Sequence, residues 1–332
     1  MGKLADYWRR VAGAPGAAAD VSPPPGPPGT GPPGRPAAGG LAPLTDERAA
    51  PPSGAAGDDV RRRMESYGLS HVGKVRTGNE DHFVIASLQR SLEVRQTNLE
   101  DRELLKPLCG PQAYLFAVAD GLGGLEGGSL ASGMTLRTVV EYLSETVGSY
   151  HAVPAGQEHA FLDPLRHAVQ RAHDRLRAAL SASQGGPATT LTIALLVWPR
   201  AFIVHVGDSR AYHLRAGRLQ RLTRDQTVGA YLVDQAAISE QQAERGGFND
   251  VLSSAVGARD MTPAVSALML ERGDVLLLCT DGLTNHVAED RIAALLGRAT
   301  DAEASCRELV DLALAAGGRD NVTVVVAQAL TA

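Results

Sequence analysis

The sequence predicts an α+β fold in which antiparallel sheets are covered by helices. Short apolar runs, rich in branched and aliphatic side chains, predict buried strands at 114–119, 191–198, 202–206, 275–279 and 322–327. Predicted helices fall between groups of these strands and do not follow each strand in turn. That order favours antiparallel sheets over a doubly wound parallel sheet.

Individual elements support this interpretation. Residues 201–223 contain two predicted strands joined around Arg215-Ala216-Gly217-Arg218, and so short a connection requires antiparallel pairing. Further helices are predicted over 129–147, 288–296 and 302–314. Another helix is predicted from apolar residues that share one face at 3.6 residues per turn, namely Phe161, Leu165, Ala168, Val169, Ala172, Leu176 and Leu180.

Composition excludes several classes of function. The chain has 332 residues, 44% of them hydrophobic, which is enough for one large core or two small ones. A formal net charge of −5 gives no electrostatic basis for binding nucleic acid or an anionic membrane. No run approaches the ~20 apolar residues of a membrane span, and no apolar signal segment follows the N-terminus. Three widely spaced cysteines indicate buried thiols in a reducing compartment, so we expect a cytoplasmic protein.

Two regions differ sharply in composition. Twelve of the 19 prolines lie between Val11 and Ser53, within a tract of Pro, Gly and Ala. Such a tract cannot bury enough apolar surface to offset its ordering entropy, so residues 1–60 are predicted to be a disordered tail. The tail is either an arm without function or a docking segment for a proline-binding partner. Residues 61–330 are predicted to form one catalytic domain.

Acidic residues occur where predicted strands meet glycines. Asp120 and Asp281 each end an apolar run and precede a glycine, Asp320 stands before the strand at 322, and Glu80-Asp81 follow a short alternating segment from His71. Any single Asp-Gly pair is most simply a turn. Four such positions in one domain are hard to explain as turns alone, because rigid strands would deliver each carboxylate to a defined place.

Oxygen-only clusters suit hard cations such as Mg²⁺ and Mn²⁺, and the sequence has no His/Cys constellation that would call for zinc. Two such ions would suit phosphoryl hydrolysis, since they acidify a water and neutralise charge on phosphate oxygens. Arg76, four residues before Glu80, offers a planar fork for a phosphate group.

Ordered motifs carry a family resemblance over residues 67–327. The chain resembles the bacterial branch of the type 2C metal-dependent protein serine/threonine phosphatases in the order and content of its blocks. The blocks are Arg76-Thr77-Gly78-Asn79-Glu80-Asp81, Ala117-Val118-Ala119-Asp120-Gly121-Leu122-Gly123-Gly124, Val206-Gly207-Asp208-Ser209-Arg210, Leu278-Cys279-Thr280-Asp281-Gly282-Leu283 and Gly318-Arg319-Asp320-Asn321-Val322-Thr323.

The resemblance implies a four-layer α/β/β/α sandwich with a centre for two Mn²⁺ or Mg²⁺ ions. It implies that Asp120 bridges both ions, that the Gly121 carbonyl and Glu80 are ligands, and that Asp281 and Asp320 bind the first ion. Arg76 matches the phosphate-binding arginine. The residues implied to orient these ligands are Asp81, Asp208 and Asn321.

Several positions depart from the family pattern. Leu122 and Leu125 stand where relatives carry histidine, so the general acid is unassigned, and His205 is expected to be packed in its strand although it is the first candidate for an acid. Ser129 replaces an acidic residue that would support Asp120. Asn285, together with the Ser181–Gly186 region, argues against a third ion.

Two alternative functions would leave different signals in the sequence. The glycine-rich run 121–128 lacks the Gly-Lys-Ser/Thr ending of a phosphate-binding P-loop. A catalytically impaired phosphatase-like module that binds regulators would have lost a metal carboxylate, yet Glu80, Asp120, Asp281 and Asp320 are all present. The sequence therefore predicts an active, monomeric phosphatase. The resemblance implies that its partners are phosphorylated proteins, including a Ser/Thr kinase that it opposes and that kinase's substrates.

Overall fold

Two antiparallel sheets form the centre of the structure, a computed structural model that describes residues 64–92, 108–124, 127–146, 159–179 and 186–330. In chain order the described strands are β1 (Met64–His71), β2 (Asp81–Leu92), β3 (Leu108–Leu122), β4 (Ala188–Thr189), β5 (Leu191–Val197), β6 (Arg200–Val206), β7 (Arg210–Arg215), β8 (Arg218–Arg221), β9 (Ala264–Met269), β10 (Val275–Cys279) and β11 (Val322–Ala329). One sheet has the order β1-β11-β10-β7-β8. The other has the order β2-β3-β5-β6-β9, with β4 paired to the end of β3.

Helices cover the outer face of each sheet. The described α-helices are α1 (Gly127–Thr146), α2 (His159–Ala179), α3 (Val228–Asp234), α4 (Glu240–Arg245), α5 (Asp281–Thr284), α6 (Glu289–Arg298) and α7 (Ala302–Ala315). Side chains of α1 and α2 pack on the sheet that contains β3, and side chains of α5, α6 and α7 pack on the sheet that contains β10. A third apolar cluster fills the space between the two sheets. The predicted four-layer sandwich is therefore confirmed.

Strand β3 shows how a central strand serves two cores. Phe116 and Val118 point toward the other sheet, whereas Leu115 and Ala117 point toward the helices, and all four are buried. Alternation along a strand sends successive side chains to opposite faces, so a strand buried on both faces has a continuous apolar sequence. The run 115–119 therefore ends at a fixed point. Asp120 is held there by its pairing with Asp81 of β2, and its carbonyl accepts a hydrogen bond from the Thr190 N–H at 2.9 Å.

The main strand and helix predictions are confirmed, including the hairpin around residues 215–218, which joins β7 and β8. One local prediction was wrong. The alternating segment expected between His71 and Glu80 is a loop, because β1 ends at His71, Gly73 adopts a positive φ of 84°, and β2 begins only at Asp81.

The predicted tail, residues 1–60, and residues 93–107 of the long connection between β2 and β3 lie outside the described residues. A search of the described helices finds none with the length and apolar character needed to cross a bilayer.

Candidate metal centre

Strand ends from both sheets meet at one edge of the sandwich. Asp81, at the start of β2, lies directly opposite Asp120 of β3 in the antiparallel ladder. Asp281 opens α5 two residues after the last residue of β10, and it interacts electrostatically with Asp120. Asp320 precedes β11 and interacts electrostatically with both of these aspartates. The topology thus brings together carboxylates that are far apart in the sequence.

Arg76 reaches the same cluster from the loop between β1 and β2. Its Nη2 donates to Asp320 Oδ2 at 2.6 Å, and the guanidinium is half-exposed. It also lies within electrostatic range of Glu80 and Asp120. The predicted phosphate-binding arginine and the four predicted carboxylate ligands therefore occupy one site.

Two glycines are required by close backbone contacts at this site. A Cβ at Gly121 would lie 2.1 Å from the carbonyl oxygen of Gly128 at the start of α1. A Cβ at Gly282 would lie 1.9 Å from the carbonyl oxygen of Asn321. The Asp-Gly pairs are thus more than turn signals, because each glycine lets a second segment pack directly behind a carboxylate.

Asn321 joins the segments that carry Glu80 and Asp320. Its side-chain oxygen accepts a hydrogen bond from the backbone N–H of Glu80 at 2.8 Å. Its amide nitrogen donates to the carbonyl oxygens of Val72 and Gly78 at 2.9 and 3.0 Å. The buried amide therefore uses its oxygen and both of its N–H groups, which supports the predicted orienting role.

Asp81 and Asp208 lie at the inner side of the cluster. Asp81 is buried, and its Oδ2 accepts a hydrogen bond from the hydroxyl of Thr280 at 2.8 Å. Burial raises the pKa of both carboxyls, and the neighbouring Asp281 raises the pKa of each further. Neither residue forms an ion pair with a basic side chain among the described residues, so their negative charge favours a proton or a bound cation nearby.

The candidate metal ligands are also acidic groups held close together. Burial is the main cause that raises the pKa of Asp120, Glu80 and Asp281, and nearby carboxylates raise each of them further. Such a cluster favours either protons or bound cations over free carboxylates.

Buried oxygens without hydrogen-bond partners favour cations over protons at this site. Glu80 Oε1, Asp81 Oδ1 and Asp281 Oδ1 are buried without a hydrogen-bond partner. Oxygens of this kind fit hard divalent cations. Within the described residues, no three His, Cys, Asp or Glu side chains are grouped to hold an ion by themselves.

Threonine and serine hydroxyls behind the ligands were not predicted from the sequence. The backbone N–H of Asp120 donates to Thr190 Oγ1 at 2.9 Å, and Thr189 Oγ1 donates to the Asp120 carbonyl at 2.8 Å. Ser132 Oγ donates to the carbonyl of Glu80 at 2.6 Å, which ties α1 to the site. The Thr189-Thr190 pair in an otherwise apolar strand region was the available sequence signal.

The side chains of Asn285 and His205 both form hydrogen bonds within the fold. Asn285 Nδ2 donates to Asp281 Oδ2 at 3.0 Å, so the amide orients this carboxylate. His205 is buried, with Nδ1 bonded to the Thr192 hydroxyl and Nε2 to the Arg224 carbonyl. Its packed state agrees with the expectation, and both ring nitrogens are occupied within the fold.

Comparison with known proteins settles the family. A model of the protein phosphatase 2C family matches residues 90–315. This chain belongs to the protein phosphatase 2C family. Serine/threonine phosphatase stp of Listeria welshimeri is 30% identical to this chain over 214 residues. The match covers 64% of this chain and 82% of the Listeria protein.

Mycobacterial relatives extend the comparison. Serine/threonine protein phosphatase PstP of Mycobacterium tuberculosis is 33% identical over 243 residues, 71% of this chain, and the match spans only 45% of that longer protein. The crystal structure of PstP aligns with a TM-score of 0.64 at 30% identity, covering 81% of this chain and all of the solved one. A PstP catalytic-domain structure in complex with two manganese ions aligns with a TM-score of 0.62, also at 30% identity, covering 81% of this chain and 99% of the solved one. This phosphatase 2C family member thus shares a fold with enzymes whose solved forms include a dimanganese complex.

Proposed function

We propose that this protein hydrolyses phosphoserine and phosphothreonine esters at a centre of two Mn²⁺ or Mg²⁺ ions. The observation that carries the proposal is the set of buried, unpartnered oxygens on Glu80, Asp81 and Asp281 beside the half-exposed guanidinium of Arg76. A site with excess negative charge beside an accessible arginine is suited to divalent cations and a phosphate group together.

The ligands would be the side chains of Glu80, Asp120, Asp281 and Asp320 and the carbonyl of Gly121. The bound ions would lower the pKa of a water and neutralise charge on the phosphate oxygens. Burial and neighbouring carboxylates raise the pKa of Asp120 and of Asp281, so cations would compete with protons for both carboxyls.

Arg76 would bind and orient the phosphate. Its only described ion pair is to Asp320, which leaves further N–H groups of the guanidinium to point toward solvent. A planar fork of donors matches phosphate oxygens in pairs. Asn321 and Asp81 would keep the Glu80 backbone and the Thr280 hydroxyl in place during turnover.

The Listeria and mycobacterial relatives are serine/threonine phosphatases by name, which supports phosphoproteins as substrates. We propose that the protein acts in the cytoplasm, as a monomer, against sites phosphorylated by a Ser/Thr protein kinase. The presence of every predicted metal carboxylate argues against a catalytically impaired binding module.

Turnover of p-nitrophenyl phosphate and of a phosphothreonine peptide tests the proposal. We expect activity that appears with Mn²⁺, disappears with a chelator and falls by at least about 100-fold in Asp120→Asn. Asp163→Asn, an exposed aspartate on α2, is the matched control and should retain full activity. Full activity of Asp120→Asn, or turnover that survives complete chelation, would contradict the proposed centre.

A further inference from the structure

His286 lies between the two segments that carry Asp281 and Asp320. It follows the short helix α5, five residues after Asp281, and is partly buried. The facing segment is the loop of residues 316–321, where Gly317 and Gly318 have positive φ values of 131° and 53°. The imidazole ring packs against this loop, since the Cβ position of Gly317 lies 3.9 Å from His286 Cδ2.

Both ring nitrogens form hydrogen bonds. Nδ1 lies 3.0 Å from the carbonyl oxygen of Gly282, the residue after Asp281. Nε2 lies 3.3 Å from the backbone N–H of Arg319, the residue before Asp320. A carbonyl accepts and an N–H donates, so the neutral ring with its proton on Nδ1 satisfies both partners.

The two bonds differ in what they connect. The bond to Gly282 is local, within one helical turn, whereas the bond to Arg319 crosses to the loop before β11. On the inner side these segments are already joined, because the Thr280 N–H donates to the Thr323 carbonyl at 3.0 Å. On the outer side, His286 supplies the described side-chain link between α5 and the N–H that precedes Asp320.

We propose that His286 is a positioning residue that holds Asp320 in place relative to Asp281 and thereby sets the affinity of the centre for divalent cations. The inference rests on the proposed metal centre, and the decisive contact is the bond from Arg319 N–H to Nε2. Groups that orient metal ligands from behind affect affinity by about 10–100-fold when removed. Other bonds hold this loop elsewhere, since the Lys74 N–H donates to the Gly318 carbonyl at 2.7 Å and Arg76 binds Asp320. The described partner of the Arg319 N–H itself is His286.

Three variants separate the two bonds. His286→Ala removes both. His286→Asn keeps a short amide near Gly282 and does not reach Arg319. His286→Gln places an amide oxygen where Nε2 now accepts from Arg319. Titration calorimetry with Mn²⁺ measures binding without turnover, and hydrogen exchange of the Arg319 amide reports the contact directly.

We expect Mn²⁺ affinity to fall about 10-fold in His286→Ala and His286→Asn, with partial recovery in His286→Gln. The Arg319 amide should exchange faster in the same order, and the melting temperature of the metal-free protein should change little. His167→Ala, on the exposed face of α2, is the control and should match the wild type.

Wild-type affinity and unchanged Arg319 exchange in His286→Ala would overturn the positioning role while leaving the phosphatase proposal intact. Equal losses of Mn²⁺ affinity in His286→Asn and His286→Gln, with equal falls in melting temperature, would show a purely structural role and would also overturn the proposal. Absence of Mn²⁺ binding by the wild type would remove the proposed function and this inference together.

Discussion

The side-chain oxygen of Asn321 accepts a hydrogen bond from the backbone N–H of Glu80 at 2.8 Å. This contact fixes the start of β2 against the segment before β11, and the same amide donates to two further carbonyls. A leucine has the same number of side-chain heavy atoms in the same branched arrangement, but it leaves three partly buried backbone groups without a partner. Unsatisfied buried groups cost about 1–3 kcal/mol each.

Asn321→Leu is therefore expected to lower Mn²⁺ affinity by about 10–100-fold and to destabilise the fold. Calorimetric titration with Mn²⁺ and chemical denaturation check the two effects separately. Gln220→Leu, on the exposed edge strand β8, is the control and should leave both unchanged. An Asn321→Leu protein that binds Mn²⁺ like the wild type would show that Glu80 needs no such support.

Gly282 tests the close packing behind Asp281. Its Cβ position is 1.9 Å from the Asn321 carbonyl, so Gly282→Ala must push β11 or α5 away. We expect a loss of about 1–3 kcal/mol in the free energy of unfolding, together with weaker metal binding. Gly297→Ala is the matched control, because that helical glycine has nothing within 4 Å of its Cβ position. It should be stabilising by about 0.5–1 kcal/mol, and equal effects of the two substitutions in urea denaturation would contradict the packing argument.

The buried His205 makes the stability of the fold depend on pH. Burial lowers the pKa of this imidazole to about 4, below the ordinary value of 6.5. Between these two values the imidazole binds a proton in the unfolded chain but not in the folded protein. The contribution of His205 to the free energy of unfolding is therefore complete above about pH 6.5 and is lost as the pH falls toward 4. Between pH 7 and pH 5 the loss amounts to about 2 kcal/mol.

His205→Gln removes this titration. Urea denaturation at several pH values should therefore show a shallower decline for the variant than for the wild type over the acid range. His167→Ala, exposed on α2, serves as the control and should keep the wild-type slope. Parallel curves for the wild type and His205→Gln would mean that the buried histidine does not govern this range.

How far the sequence predicted this structure depended on burial. The central strands β3, β5, β10 and β11 are buried on both faces and read as continuous apolar runs, so they were predicted directly. Strand β9 was missed because its residues are mostly exposed at a sheet edge and show no clear alternation. Edge pairing depends on the neighbouring strand more than on local sequence.

Residues of the site could likewise be predicted only where the local sequence marks them. Asp120 and Asp281 were found because each ends a strong apolar run before glycine. Thr190 and Ser132 were missed because their contacts with Asp120 and Glu80 are made across long sequence separations by the packing of β5 and α1. A hydroxyl on a buried element has many alternative roles, and only the tertiary arrangement selects one.

Asp120 links stability to metal binding. Burial raises the pKa of its carboxyl well above the ordinary value, and neighbouring aspartates raise it further. A group whose pKa is raised on folding favours the folded state at low pH, and that contribution is lost as the pH rises through the folded pKa. The metal-free protein at neutral pH therefore carries an electrostatic penalty that a bound cation would offset, and excess Mn²⁺ at about 100 times its dissociation constant should stabilise it by about 2.7 kcal/mol.

Asp120→Asn keeps the shape of the side chain and removes its charge. We expect the metal-free variant to be more stable than the metal-free wild type at pH 7, by about 1 kcal/mol, because catalytic carboxylates are held against their mutual repulsion. The same variant should show little further rise in melting temperature with Mn²⁺. Thermal denaturation with chelator and with Mn²⁺ measures both quantities, and Asp163→Asn should behave as the wild type in each. If Asp120→Asn were less stable without metal yet gained the full Mn²⁺ effect, Asp120 would be a structural residue and the ligand assignment would have to move to its neighbours.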